Sequence, residues 1–155
     1  MQFSNEILVR IIIVVLGVCG FFIAKYIRKH KKQNTPLVCP IRFDCHTVVH
    51  SDYSKFFGIP VEILGMMYYA FTTGVYFVFV FFPQIFFAIN YDILSTIFLS
   101  ISLVAFLFST YLIAVQIFIL KKGCSWCIVS AFICLAIFIL ASFLYNFSLV
   151  TQLIF

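Results

Sequence analysis

Four long apolar runs, separated by short polar breaks, decide what this chain can fold into. A bilayer core of roughly 30 Å takes about 20 helical residues to cross, and a helix satisfies its backbone polar groups within one segment. The first run covers Ile7 to Tyr26, with Arg10 near one end and Lys25 at the exit; long basic side chains reach back to the interface. It lacks the small-residue cleavage site of a secretory leader and is read as a retained helix. The second covers Ile63 to Phe82 and stops at Pro83, which has no N–H to continue a helix. A short link through Asp92 leads to the third, Ile93 to Leu120, closed by Lys121-Lys122-Gly123. The fourth opens at Cys124 and stays uncharged to the C-terminus, with its end expected near Leu144 or Phe147. With 65% hydrophobic and 10% charged residues, a soluble globular domain is excluded. The expected fold class is an all-α integral membrane protein. It is a four-transmembrane-helix bundle forming one membrane domain over 1–155, with helices at about 7–26, 63–82, 93–120 and 124–147.

One long polar stretch, about 27–62, interrupts the apolar pattern. Pro36, Pro40 and Pro60 break helix within it, while Ser51 to Phe57 reads as a short horizontal helix. Ser51 suits its N-cap, Asp52 its first turn and Gly58 its C-terminal stop. Tyr53, Phe56 and Phe57 would give that helix an apolar face to rest on the bundle as a lid. Counting four spans puts this loop and the Lys121 to Gly123 turn on one membrane face, with both termini and the Pro83 link on the other.

Six cysteines stand at positions 19, 39, 45, 124, 127 and 134. Cys19 and Cys134 lie within apolar runs and read as small buried hydrophobes. The other four form two pairs, Cys39 with Cys45 in the long loop and Cys124 with Cys127 as Cys-Ser-Trp-Cys. A thiolate at a helix N-terminus is favoured by the unpaired N–H groups there. Two pairs on one face can pass electrons by thiol–disulfide exchange, each step being attack of a thiolate on a neighbouring disulfide. Plainer readings stand beside this one. Either pair could be a structural disulfide, and Cys39, Cys45, His46 and His50 supply enough donors for a tetrahedral zinc site in a metal-binding membrane module. The Cys-X5-Cys spacing is wider than zinc loops use, and His46 directly follows Cys45. His50 is positioned to place a proton near Ser51.

These motifs together resemble the vitamin K epoxide reductase family of membrane thiol oxidoreductases, in its bacterial and archaeal branch. The residues that carry the resemblance are Cys39-Pro-X4-Cys45, Ser51 six positions on, Phe57-Gly58-Ile59-Pro60 leading to Gly65, and Cys124-Ser-Trp-Cys127 opening the fourth helix. The resemblance implies a bundle around a quinone of the ubiquinone or menaquinone type, which accepts the electrons. Cys127 would be the thiolate beside the quinone, and Cys124 would exchange with Cys45. Cys39 would resolve that mixed disulfide and, paired with Cys45, oxidise a partner. Ser51 would support the loop over the site. Fused members carry a thioredoxin-like domain, so here the partner is expected to be a separate thioredoxin-fold, DsbA-like protein. Val61 stands where the animal enzymes carry a quinone-side Asn, which favours ordinary quinone reduction over epoxide chemistry. DsbB-type oxidases share the chemistry but carry their Cys-X-X-Cys in the first external loop.

Charge gives a conflicting indication of orientation. Seven of the ten basic residues lie between Lys25 and Lys55, Lys121 and Lys122 join them, and Arg10 alone lies opposite. The positive-inside rule puts that face in the cytoplasm; disulfide chemistry favours the extracytoplasmic side, which is the orientation expected here. Lys25, Arg28, Lys29, Lys31 and Lys32 read as a solvated helix end or a site for anionic lipid headgroups. No feature beyond charge points to nucleic acid. Glu62 and Asp92 read as boundary residues, with proton relay as the alternative. No hydrolytic triad or phosphate-binding glycine loop is present.

Overall fold

The structure, a computed structural model, describes residues 2–35, 37, 39, 44–82 and 91–154. Pro36, Pro40, Arg42 and the link from Pro83 lie outside the described residues. Among the described residues, four helices are long and apolar enough to cross a membrane: Asn5–Gln33, Val61–Phe81, Ile93–Leu120 and Ser125–Phe147. The bundle expected from the four runs is therefore present.

Helix α1 spans Gln2–Gln33, two turns past the point where its apolar run ends. Lysine and arginine are good helix formers, and Lys31 and Lys32 in the last turn complement the helix dipole. Its stop is local. Asn34 adopts a left-handed φ of 50°; its N–H reaches Lys31 O at 3.4 Å and the Thr35 N–H reaches His30 O at 3.2 Å. This is the paired closure of a Schellman motif.

Between α1 and the second span the chain differs from the expected lid helix. The short helix, α2, lies earlier, at Cys45–Val49, with Asp44 as its N-cap accepting the Thr47 N–H at 3.2 Å. Ser51 does precede a helical turn, the 3-10 turn Asp52–Ser54, but its hydroxyl makes no cap bond there. The chain then forms a minimal hairpin, β1 (Lys55–Phe56) against β2 (Ile59–Pro60). Phe57 and Gly58 take φ values of 52° and 81°, the two positive values a two-residue type I′ turn requires. Gly58 is thus a turn residue and not a helix stop. The Ser51 to Phe57 segment cannot continue as helix through a left-handed Phe57.

Helix α3 (Val61–Phe81) follows Pro60 directly. Helix α4 (Tyr91–Ala114) runs into a π-helical turn, Val115–Leu120, which ends at Lys121 with a left-handed φ of 49°. Helix α5 is Ser125–Ile154. In the bundle α1 packs along α3, and α5 packs against both α4 and α1. Lipid supplies no hydrophobic drive for helices to associate, so small residues that permit close approach carry weight. A Cβ on Gly20 would collide with the Tyr69 ring and one on Gly17 with the Thr73 hydroxyl. Tyr69, 1% exposed, in turn bonds Ser130 O and Ser130 Oγ at 2.8 Å and Cys134 Sγ at 3.2 Å. Gly20, Tyr69 and Cys134 so tie α1, α3 and α5 at one level. Cys134 is buried as expected. Cys19 is exposed instead, because it lies roughly 200° round α1 from Gly17, away from the α3 contact.

Candidate functional site

Asp44 builds the first half of the site. Its carboxylate caps α2 through the Thr47 N–H and the Thr47 hydroxyl, the latter donating at 2.8 Å. That fixes Cys45 in the first turn of α2, where it is 1% exposed. Cys45 is joined to Cys39 in a disulfide with Cα atoms 6.2 Å apart. Ser51 closes the other end of α2, its hydroxyl donating to Val48 O at 2.7 Å.

The second half comes from the turn between α4 and α5. The π turn and left-handed Lys121 bring Gln116 beneath that turn: the Lys122 N–H donates to Gln116 O at 3.2 Å, and the Cys124 N–H donates to Gln116 Oε1 at 3.2 Å. Cys124 is the residue immediately before α5. Its carbonyl accepts the Ile128 N–H at 3.0 Å, and its sulfur accepts the Cys127 N–H at 3.4 Å. A sulfur in the N-cap position receives the N–H that a Ser or Asp oxygen usually takes. Cys127 Sγ donates to Cys124 Sγ at 2.7 Å. The Cys124 thiol is held below its ordinary pKa, chiefly by this bond from Cys127. Burial opposes the shift, while the Cys127 and Trp126 N–H groups add to it and the Glu62 charge resists it. Cys124 is thus the sulfur best able to carry charge where the loop meets the bundle.

The two halves meet. Cys45 and Cys124 belong to one buried apolar cluster with Ile27, Leu37, Val48 and Val49, against which Cys39, Cys127, Tyr26 and Trp126 pack. Two lysines hold the loop in place. Lys122 Nζ pairs with Asp44 Oδ2 at 2.5 Å, and the Asp44 carboxyl is lowered to about 2, first by the Lys122 hydrogen bond and then by those from Thr47. Lys31 Nζ donates to Ser54 Oγ at 2.9 Å and to Glu62 Oε1 at 2.8 Å. Asp44, Gln116, Lys31 and Lys122 were not singled out for these roles from the sequence. The Asp-X-X-Thr capping pattern at Asp44 was the one readable signal.

His46 and His50 stack at 4.3 Å. His50 Nε2 meets Asn34 Oδ1 at 3.1 Å and its Nδ1 meets His46 O at 3.0 Å, so the histidine is engaged with α1 and α2 rather than with Ser51. The Cys39–Cys45 disulfide removes both thiolates from the zinc reading. No group of three His, Cys, Asp or Glu side chains able to hold a metal stands among the described residues.

Beneath the loop lies a cavity of about 470 Å³ whose walls include Ser51, Glu62, Gly65, Tyr68, Gln116 and Cys127. Two polar atoms on this wall have no partner: Glu62 Oε2 and the Tyr68 hydroxyl. The latter lies near Ser102 and Thr72 without bonding geometry to either. Cys127 therefore borders an apolar chamber, while Cys124 and Cys45 share the buried cluster beside it.

No curated protein matches the chain. The family model for the vitamin K epoxide reductase family matches residues 11–142, from α1 to the middle of α5 and across all four cysteines. On that match and this arrangement of thiols, the chain belongs to the vitamin K epoxide reductase family and is a membrane thiol–disulfide oxidoreductase.

Proposed function

We propose that the protein oxidises dithiols in a separate thioredoxin-fold partner and delivers the electrons to a membrane quinone. The observation that carries this reading is the convergence of Cys45 and Cys124 in one buried cluster while Cys127 lines the cavity behind them.

In the first exchange a partner thiolate attacks the Cys39–Cys45 disulfide. The partner leaves as a disulfide, with Cys39 and Cys45 reduced. The Cys45 thiolate then attacks Cys124 of an oxidised Cys124–Cys127 pair, forming a Cys45–Cys124 bond and releasing Cys127 as thiolate. Cys39 attacks Cys45, which restores the loop disulfide and leaves Cys124 and Cys127 both reduced. Ser51 holds the end of α2 so that Cys45 stays over Cys124. A bound quinone supplies the acceptor for two electrons and two protons. The cavity suits such a group: it is predominantly apolar, it borders Cys127, and it carries an unpaired hydroxyl donor for a carbonyl. The cysteine face is read as extracytoplasmic, where disulfides persist.

The test is quinone reduction by purified, detergent-solubilised protein given dithiothreitol. Cys127→Ala abolishes turnover. Cys39→Ala spares reduction by the small dithiol and blocks oxidation of a protein dithiol; equal loss in both assays overturns the shuttle. Labelling a cysteine placed at the exposed hairpin tip, Phe57→Cys, in intact cells with a membrane-impermeant thiol reagent reads the orientation.

A further inference from the structure

We propose that Tyr68 is the residue that grips the quinone, its phenolic hydroxyl donating to the ring carbonyl turned away from Cys127. The proposal rests on the quinone reading above and adds the group that orients the ring.

A hydroxyl buried without a partner is unfavourable, and the membrane interior offers no water to repair it. Tyr68, Thr72 and Ser102 each bury such a hydroxyl on the facing helices α3 and α4. Of the three, Tyr68 lines the cavity. The other buried polar groups on that wall are engaged, and Tyr53 is exposed to solvent. Ser51 is bonded to Val48, Ser130 to Tyr69, and Gln116 turns its amide to Cys124 and Cys127. Ser109 lies beside Cys134. Glu62 offers an acceptor oxygen, which repels a carbonyl. A ring carbonyl needs a donor, and Tyr68 has one to give.

Position supports the assignment. Val61, Gly65 and Tyr68 are spaced i, i+4 and i+7, so they share one face of α3, and all three line the cavity. Val61 has no polar group and Gly65 no side chain, so Tyr68 is the first donor on that face below the thiols. Cys134 lines the same cavity as Tyr68 and lies seven residues, or roughly 10 Å, along α5 from Cys127. A ring held between them would set one edge toward Cys127 and its far carbonyl toward Tyr68.

In the step this serves, Cys124 and Cys127 form their S–S bond and release two electrons and two protons, which convert the quinone to the quinol. Negative charge develops on the carbonyl oxygen as electrons arrive. The Tyr68 hydroxyl stabilises that charge by its hydrogen bond and keeps its own proton.

The experiment compares wild type with Tyr68→Phe, using a short-chain ubiquinone or menaquinone analogue at saturating dithiothreitol. The variant is expected to lose roughly two- to tenfold in kcat/KM for quinone, the range of one hydrogen bond. Its KM for dithiothreitol is expected to stay unchanged. Without quinone its thermal midpoint is expected to be equal or higher, because an unpaired hydroxyl has been removed. Unchanged kcat/KM for quinone overturns the proposal, as does a lowered midpoint with equal loss toward both substrates. Wild type that turns over no quinone above the Cys127→Ala baseline overturns the quinone reading itself, and Tyr68 with it.

Discussion

Gln116 Oε1 accepts the backbone N–H of Cys124 at 3.2 Å, from a glutamine that is 5% exposed. This bond fixes the sulfur that meets the loop to the π turn ending α4. The π turn therefore has a function in the fold: without its extra residue Gln116 would rotate off this face. Such turns recur at functional sites for this reason.

Replacing Gln116 by Ala leaves a buried N–H unpaired. The expected cost is about 1–3 kcal/mol of stability, with several-fold slower exchange between the loop pair and Cys124. Gln116→Glu, which keeps an acceptor at the same place, is expected to preserve the Cys124 bond. The check is the rate at which a Cys39→Ala protein accumulates the Cys45–Cys124 mixed disulfide on non-reducing gels. Equal rates in Gln116→Ala and wild type would mean that the turn holds Cys124 unaided.

The Lys122–Asp44 pair sets the pH range over which the loop stays docked. Asp44 has its folded pKa near 2, below the ordinary 3.8. The stability it contributes is fully present above about pH 4 to 5 and is lost as pH falls through 2. Docking is therefore expected to be flat between pH 5 and 8 with respect to this pair, and salt is expected to weaken it because both groups are about half exposed. Lys122→Met is expected to slow trapping of the Cys45–Cys124 disulfide in low salt and to remove its salt dependence. A trapping rate in Lys122→Met that still falls with salt would assign the dependence to other charges.

The bundle core makes opposite predictions for two glycines. Gly20→Leu forces a side chain into the Tyr69 ring and loosens the Tyr69 bonds to Ser130 and Cys134. It is expected to lower the thermal midpoint in detergent, with overpacking of about 1–3 kcal/mol or more. At Gly65 the nearest atom to an added Cβ is the Ala24 methyl at 3.9 Å, an ordinary contact. Gly65→Ala is expected to fold as wild type, and an equal fall in both variants would refute the close packing at Gly20.

The four spans were legible because a bilayer imposes a length and a composition that no other environment does. The two cysteine pairs were legible from spacing, and Tyr69 and Gly20 were not, since helix–helix contact depends on which faces meet. The loop was read in the wrong place. Apolar residues at Tyr53, Phe56 and Phe57 suggested a helical face, but Phe57-Gly58 is a hairpin turn, and Phe57 is 90% exposed at its tip. The helix that matters for the site begins at Asp44, whose capping bond to Thr47 is written in four residues of sequence. Lys31 read as one residue of a basic helix end and Lys122 as part of a turn, because their partners, Glu62 and Asp44, are distant in the chain.

Lys31 and Glu62 give the most discriminating test of how the loop is fastened. The pair is largely buried, with side chains 16% and 7% exposed, and Lys31 also bonds Ser54 on the loop. Removing one partner of a buried pair leaves an uncompensated charge and costs about 3–5 kcal/mol, whereas removing both is often close to neutral. Lys31→Met is therefore expected to destabilise strongly, and Lys31→Met with Glu62→Leu to recover most of the loss. The double variant still lacks the Ser54 bond, so its loop is expected to undock more readily even as the bundle melts near the wild-type midpoint. Thermal unfolding reads the first effect, and protease sensitivity of the Ser54 to Pro60 hairpin reads the second. If the double variant is as unstable as the single, the buried charge is not what makes Lys31 necessary, and its bond to Ser54 takes that role.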